Sequence, residues 1–128
     1  GSKEPSVWHN RGFALEKLGR QVEAFAAYRA AFRRAPGLKA ARDGMQGLAR
    51  TLLPPAQAQR RHADIEQYAA ALTEADLTDR AAWFAWGQAL ASQGKSADAR
   101  TVFEKGLALH PDYVAIRDAI AALPAVPK

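Results

Sequence analysis

Three histidines are the residues of this 128-residue chain best suited to acid–base chemistry or metal binding. His9, His62 and His110 lie far apart, and none forms a pair with the spacing of metal ligands. The chain contains no cysteine, which excludes disulfides, thiolate metal sites and a cysteine nucleophile. Phosphate-binding glycine loops and the His-Glu-x-x-His motif are also missing from the sequence. We therefore predict that the chain is not an enzyme and needs no cofactor or metal.

Charged residues are distributed unevenly and could act in recognition. Residues 1–61 contain 12 Lys/Arg and 4 Asp/Glu, whereas residues 62–128 contain 6 and 9. In the basic half, Arg29, Arg33 and Arg34 form a cluster. Such a cluster is typical of a solvated helix face, and it also suits an acidic partner. Nucleic acid is disfavoured as a partner because the second half is acidic, and the opposite charges of the halves permit self-association.

An internal repeat with an offset of 75 residues organises the elements that carry these side chains. Glycine inside a helix costs about 1 kcal/mol relative to alanine, so glycines repeated in register indicate close contact between helices. We expect Ala24 and Ala99 to face them. The matched pairs are Trp8 and Trp83, Gly12 and Gly87, Leu15 and Leu90, Ala24 and Ala99, Tyr28 and Phe103, and Pro36 and Pro111.

Apolar spacing and helix-terminating residues predict two short helices in each copy, at about 6–18 and 22–35 and again at 80–93 and 97–110. Between the copies, residues 38–52 form one apolar helical stripe that we expect Pro54 and Pro55 to end. A second helix begins near His62. No apolar run reaches the roughly 18 residues of a membrane-spanning helix.

These residues resemble the tetratricopeptide repeat, whose signature is Trp-x2-Leu-Gly-x2-Tyr, Ala-x3-Phe and Pro on a period of about 34 residues. The resemblance implies an all-α fold, a right-handed α–α superhelix over residues 5–123. Three repeats are expected at about 5–38, 39–79 and 80–113, followed by a capping helix at 114–123 that covers the last apolar face.

The middle repeat is degenerate, and the 75-residue offset exceeds two standard units by about seven residues. We expect these residues to form an inserted turn between Thr51 and Arg61. Arg11 replaces the Leu of the signature, which we interpret as a polar end to the stack. Residues 1–4 are interpreted as a cloning remnant and lead-in, and residues 124–128 as a linker.

The resemblance also implies a function, because members of this family hold a peptide or a helix of another protein in the concave groove. Phe13 and Phe84 stand out among the groove positions because neither belongs to the repeat signature; either ring could anchor a ligand or pack against a neighbouring helix. The groove positions carried over from the family are His9, Phe13, Glu16, Lys17, Asp43, Gly47, Arg50, Phe84, Gln88 and Ser92.

One subgroup of the family binds the C-terminal carboxylate of chaperone tails through a Lys/Asn/Asn/Lys/Arg clamp. The matching positions here hold His9, Phe13, Gly44, Ala81 and Ala85, so no such clamp is predicted. We expect a scaffold or adaptor module of a larger bacterial protein, since the chain is rich in Ala and Arg. The alternative is a structural spacer or self-assembling solenoid. The sequence carries no segment that distinguishes cytoplasm from periplasm.

Overall fold

Seven α-helices make up residues 5–124, the part of the chain that the computed structural model describes. No strand occurs within these residues, which confirms the all-α prediction. None of the helices there is both long enough and apolar enough to cross a membrane. The helices are α1 (Pro5–Lys17), α2 (Gln21–Arg34), α3 (Lys39–Ala58), α4 (His62–Ala75), α5 (Arg80–Ser92), α6 (Ser96–Leu109) and α7 (Val114–Ala122).

The helices belong to two compact units, which divide between Pro54 and Pro55. In the first unit α1 packs against α2. In the second unit α4 packs against α5, α5 against α6, and α6 against α7. Each unit therefore contains a pair of consecutive helices joined by a short turn, as the repeat pattern predicts.

The turns that close the three repeats share one hydrogen-bonding pattern. The amide N–H of the residue after each turn donates to a carbonyl five residues earlier, from Arg20 to Leu15 and from Lys95 to Leu90, both at 2.9 Å. The middle turn repeats this bond from Arg61 to Ala56 at 2.9 Å. Gly19 and Gly94 occupy the left-handed position of their turns with φ of 79° and 80°. The middle turn places Arg60 there at φ 53°, which hides its kinship in the sequence.

Helix α3 is longer than the sequence predicts. It has 20 residues, whereas α1 and α5 have 13 each. The prediction that Pro54 and Pro55 end this helix is wrong, because it continues through them to Ala58. The inserted residues are thus helical rather than a turn. Ala56 is fully buried, and this burial beyond the prolines offsets the backbone hydrogen bonds that proline cannot donate.

Aromatic rings of the second helix of each full repeat fill the space that glycine leaves open. A Cβ atom on Gly12 would lie 2.9 Å from the ring of Tyr28, and one on Gly44 would lie 2.8 Å from the same ring. In the second unit, a Cβ on Gly87 would lie 2.2 Å from the ring of Phe103. We expected Ala24 and Ala99 to be the nearest partners of the glycines. Both alanines are fully buried, but the nearest atoms belong to the rings.

The core of the second unit is formed by Trp83, Leu90, Phe103 and Ile116 with the small residues between them. The indole Nε1 of Trp83 donates to the Leu77 carbonyl oxygen at 3.0 Å, which satisfies the polar atom of this buried ring. Ile116 is fully buried, and Ile120 and Leu123 pack against the cluster. Helix α7 therefore covers the apolar face of the last repeat, as predicted.

Candidate functional site

A cleft of about 430 Å³ runs along α5 in the second unit. Three predicted groove residues, Phe84, Gln88 and Ser92, line it together because a spacing of four residues puts them on one helix face. The other lining residues are Ala81, Ala85 and Ala89 of α5, with Gln57, His62 and Ile65 on the opposite side. The cleft is thus an apolar depression with several hydrogen-bonding side chains at its edges, an arrangement suited to an apolar side chain of a ligand.

Phe84 both packs and lines the cleft. Its ring centroid lies 6.2 Å from that of Phe103 and 6.2 Å from that of Tyr113, the latter in an edge-to-face arrangement. The ring is half-buried, so one part contacts the core cluster and another part remains accessible from the cleft. The two roles that the sequence leaves open for Phe84 therefore coexist, and the packing fixes the orientation of the accessible face.

Polar side chains at the start of α4 hold that helix against α5. Gln93 Nε2 donates to Glu66 Oε1 at 3.0 Å and to the His62 carbonyl oxygen at 3.4 Å. Lys95 Nζ lies 3.3 Å from the same Glu66 oxygen. This network fixes the wall of the cleft that carries His62 and Ile65. The sequence analysis missed this wall, because it carried over groove positions only from the first helices of the repeats.

In the first unit, Phe13, Glu16 and Lys17 surround a shallow depression of about 210 Å³. The Phe13 side chain is 53% exposed, so it does not pack in the way that Phe84 does. Lys17 Nζ lies 5.2 Å from the centre of the Phe13 ring, within reach of a cation–π contact. An exposed aromatic ring beside a cation is a feature of a contact surface rather than of a core.

His9 and Glu16, the other predicted residues of α1, contact Tyr28 of the first unit's core. The His9 and Tyr28 ring centroids lie 5.4 Å apart, and the Tyr28 hydroxyl donates to Glu16 Oε1 at 2.9 Å. Burial of the ring, with the hydrogen bond and the negative charge of Glu16, raises the pKa of Tyr28 to about 12. His9 and Glu16 therefore join the predicted surface to the ring that Gly12 and Gly44 accommodate.

The raised pKa of Tyr28 predicts a loss of stability at alkaline pH. Its ordinary value is 10.0, so between pH 10 and about 12 the native state retains a proton that the unfolded state loses. The contribution of this group is complete below pH 10, and the free energy of unfolding falls as pH rises toward 12. Urea titrations from pH 8 to about 11.5 should show a shallower decline for Tyr28→Phe than for the native protein. Burial and the charge of Asp64 also raise the pKa of Tyr68, so Tyr68→Phe is the matched variant. An unchanged slope in Tyr28→Phe would contradict the Glu16 bond.

The predicted residues on α3 are exposed and make surface pairs. Asp43 Oδ2 accepts from Lys39 Nζ at 2.6 Å, and Asp43 Oδ1 lies 3.9 Å from Arg42 Nε. The hydrogen bond from Lys39 is the main cause of the lowered pKa of Asp43. Arg50 and Gly47 lie exposed on the same helix. These residues provide charge at the surface but line none of the clefts described here.

The three arginines of the predicted basic cluster have different environments. Arg29 is buried with 9% exposure, and its guanidinium lies 5.9 Å from the Phe25 ring. Arg34 lies 4.8 Å from the Trp8 ring centre and donates to the Ala30 carbonyl oxygen at 3.2 Å. Arg33 is exposed. The cluster is therefore not a single solvated patch, because α2 directs Arg29 into the unit and its i+5 neighbour Arg34 onto a ring.

Comparisons with known proteins agree with the repeat pattern. A family model described as the tetratricopeptide repeat matches residues 5–37, and another with the same description matches residues 80–123. The stretch between them, which contains the elongated α3 and the Arg60 turn, is outside both matches. No curated protein matches the sequence.

Solved structures that match include one titled the first tetratricopeptide-repeat domain of Spaghetti (RPAP3) bound to the HSP90 peptide SRMEEVD. The match has a TM-score of 0.48 and 16% sequence identity, and it covers 94% of this chain and 90% of the other. The two family matches together cover more than half of the chain, at the positions of both full signature copies. The chain belongs to the tetratricopeptide-repeat family.

Proposed function

We propose that this chain is an interaction module that binds a segment of another protein in the cleft along α5, as a scaffold or adaptor within a larger bacterial protein. Tetratricopeptide repeats are a protein-interaction fold without a catalytic role of their own. One observation carries the proposal. Phe84, Gln88 and Ser92, which the family's groove positions identify, line the same apolar cleft.

The chemistry of the cleft favours an apolar side chain flanked by polar backbone. The accessible part of Phe84, with Ala85, Ala89 and Ile65, offers apolar contact. Gln88, Ser92 and His62 can donate to or accept from a ligand's main chain. A helix or an extended peptide that inserts one apolar residue against Phe84 would satisfy both requirements. Because Phe84 is held by Phe103 and Tyr113, little conformational entropy is lost on binding.

The first unit offers a second contact surface around Phe13, Glu16 and Lys17. The Phe13 ring is exposed and rests near a cation, so it could contact an apolar residue of the same partner. We do not propose a chaperone tail as that partner. The positions that would clamp a terminal carboxylate hold His9, Phe13, Gly44, Ala81 and Ala85, which provide neither Lys nor Arg.

Selection of peptides from a phage-displayed random library tests the proposal. Peptides that bind the native protein should lose at least about tenfold in affinity to Ala85→Arg and Gln88→Arg, a change of about 1.4 kcal/mol. Both substitutions place a long cation in the cleft. Gln88 is exposed, so its replacement should leave the thermal midpoint unchanged. Thr101→Arg, at an exposed position of α6, is the matched control and should bind as the native protein does.

Two results would contradict the proposal. The first is a library that yields no binding peptide, and the second is peptides that bind all three variants equally well. The spacer alternative predicts the first result. It also predicts a concentration-dependent oligomer that dissociates as salt increases, which light scattering would detect.

A further inference from the structure

Helix α1 exposes a face whose counterpart on α5 is covered. Val7 is 44% exposed, whereas Ala82, at the equivalent position 75 residues later, is 2% exposed. Ala14 is exposed and its counterpart Ala89 is 2% exposed. Leu18 is 70% exposed. The residues are apolar in both repeats, so the difference arises from what packs on them rather than from their chemistry.

A cleft of about 460 Å³ adjoins this face in the first unit. Its apolar lining is formed by Trp8, Leu15 and Ala27 together with Ala26, and its charged lining by Arg11, Arg20 and Glu23. Trp8 and Leu15 are only half-buried, whereas their counterparts Trp83 and Leu90 are 5% and 4% exposed. The signature residues of the first repeat therefore form an apolar surface that is incompletely covered.

Helix α4 shows what covers the equivalent surface in the second unit. It packs along α5, and its Glu66 side chain accepts from Gln93 and lies 3.3 Å from Lys95 Nζ. Lys95 is the counterpart of Arg20, and Gln93 is the counterpart of Leu18. The second unit is thus an internal template, in which the face takes an amphipathic helix that directs a carboxylate to the cation of the following turn.

We propose that the α1 face and its cleft dock an amphipathic, acidic α-helix of another protein, arranged on α1 as α4 is arranged on α5. The surface is basic as well as apolar. Arg11 and Arg34 both lie over the Trp8 ring, at 5.5 Å and 4.8 Å from its centre. The first 61 residues carry 12 Lys/Arg against 4 Asp/Glu, which would attract an acidic segment.

Arg20 can accept a second carboxylate while it retains its present partner. Its Nε donates to Glu23 Oε1 at 2.8 Å, and its Nη2 also donates to Glu23. Both side chains of this pair are more than half exposed, so the pair adds little stability. A guanidinium has five N–H donors, and the Glu23 contacts use two of them. The docking helix would therefore find a cation already held at the edge of the cleft.

A second copy of this chain is a less suitable occupant. The terminal helix α7 exposes Val114 together with Arg117 and Asp118, whose charges cancel. It offers neither the apolar stripe nor the acidic edge that α4 provides. The docking face is also separate from the proposed peptide-binding surface of the first unit, because Phe13 and its counterpart Gln88 are both exposed and line other depressions.

A fluorescein-labelled peptide with the sequence of residues 59–77 of this chain, which contains α4, is the probe for this site. Fluorescence anisotropy should show saturable binding to the native protein. Arg20→Glu should weaken that binding at least about tenfold, whereas Lys105→Glu, an equal charge change at an exposed position of α6, should not. A peptide carrying Glu66→Lys should bind Arg20→Glu more tightly than it binds the native protein. Ala85→Arg, in the cleft along α5, should leave binding of the original peptide unchanged.

Absence of saturable binding at about 1 mM protein would overturn the inference, as would equal binding by Arg20→Glu and Lys105→Glu. Loss of binding in Ala85→Arg would also overturn it, since the peptide would then occupy the other cleft or displace α4. Light scattering provides the last criterion. A dimer that Arg20→Glu abolishes would show that a second copy, and not another protein, occupies the face.

Discussion

Replacing Gly87 by alanine is expected to destabilise the protein by about 3 kcal/mol or more, the upper end of the range for overpacked cores. A Cβ atom there would lie 2.2 Å from Phe103 Cε1 and 2.4 Å from Cδ1, far closer than carbon atoms approach. Phe103 is 1% exposed and surrounded by the core of the second unit, so its ring has nowhere to move without opening other contacts. Urea unfolding followed by circular dichroism would measure the loss.

Gly47→Ala is the matched control for this prediction. Gly47 also lies within a helix, but a Cβ atom there would meet nothing within 4 Å. Alanine should therefore stabilise α3 by up to about 1 kcal/mol through its helix propensity. If Gly87→Ala were tolerated as well as Gly47→Ala, the Phe103 ring would not occupy the space beside Gly87, and the packing described here would be wrong.

Truncating Trp83 to alanine should cost about 3–5 kcal/mol, as for other large aromatic residues in cores. The side chain is 5% exposed, stacks on Trp86 at 5.6 Å between ring centroids, and contacts the α6 backbone at Gly106. Its removal would leave a cavity bounded by α5, α6 and Ile116. It would also remove the Nε1 donor from the Leu77 carbonyl oxygen, which retains a contact with His110 Nε2 at 3.3 Å.

Two variants separate the contributions to this loss. Trp83→Phe keeps much of the apolar volume but removes the donor, so it should cost less than the alanine variant. Trp8→Ala, at the equivalent position of the first repeat, should also cost less, because Trp8 is half-buried. Equal losses in Trp8→Ala and Trp83→Ala would contradict the difference in coverage on which the proposed helix-docking face depends.

The fold could be predicted from the sequence because its signals are local and occur twice. Glycine, tryptophan and proline recur in register, and each marks a turn, a core position or a helix end. The extension of α3 through Pro54 and Pro55 could not be predicted, since the penalty for proline is local whereas the burial of Ala56 depends on tertiary packing. The role of Gly44 beside Tyr28 was missed for the same reason, because no second copy repeats it.

The candidate site was predictable only on one helix. Phe84, Gln88 and Ser92 follow from helical periodicity once the family's groove positions are assigned. The wall formed by His62 and Ile65 depends on how α4 packs against α5, through Glu66 and residues 27 and 29 positions later. The burial of Arg29 likewise depends on the orientation of α2, so a charge cluster in the sequence did not translate into a charged surface.

Mapping amide chemical shifts on addition of a library-selected peptide would test most directly whether the cleft along α5 is the binding site. The account predicts that the largest shifts fall on Phe84, Ala85, Gln88 and Ser92 and on the facing residues His62 and Ile65. Amides on the outer side of α6, such as those of Thr101 and Lys105, should not move. Shifts concentrated on α6 and α7, with none along α5, would show that the partner binds elsewhere on the protein.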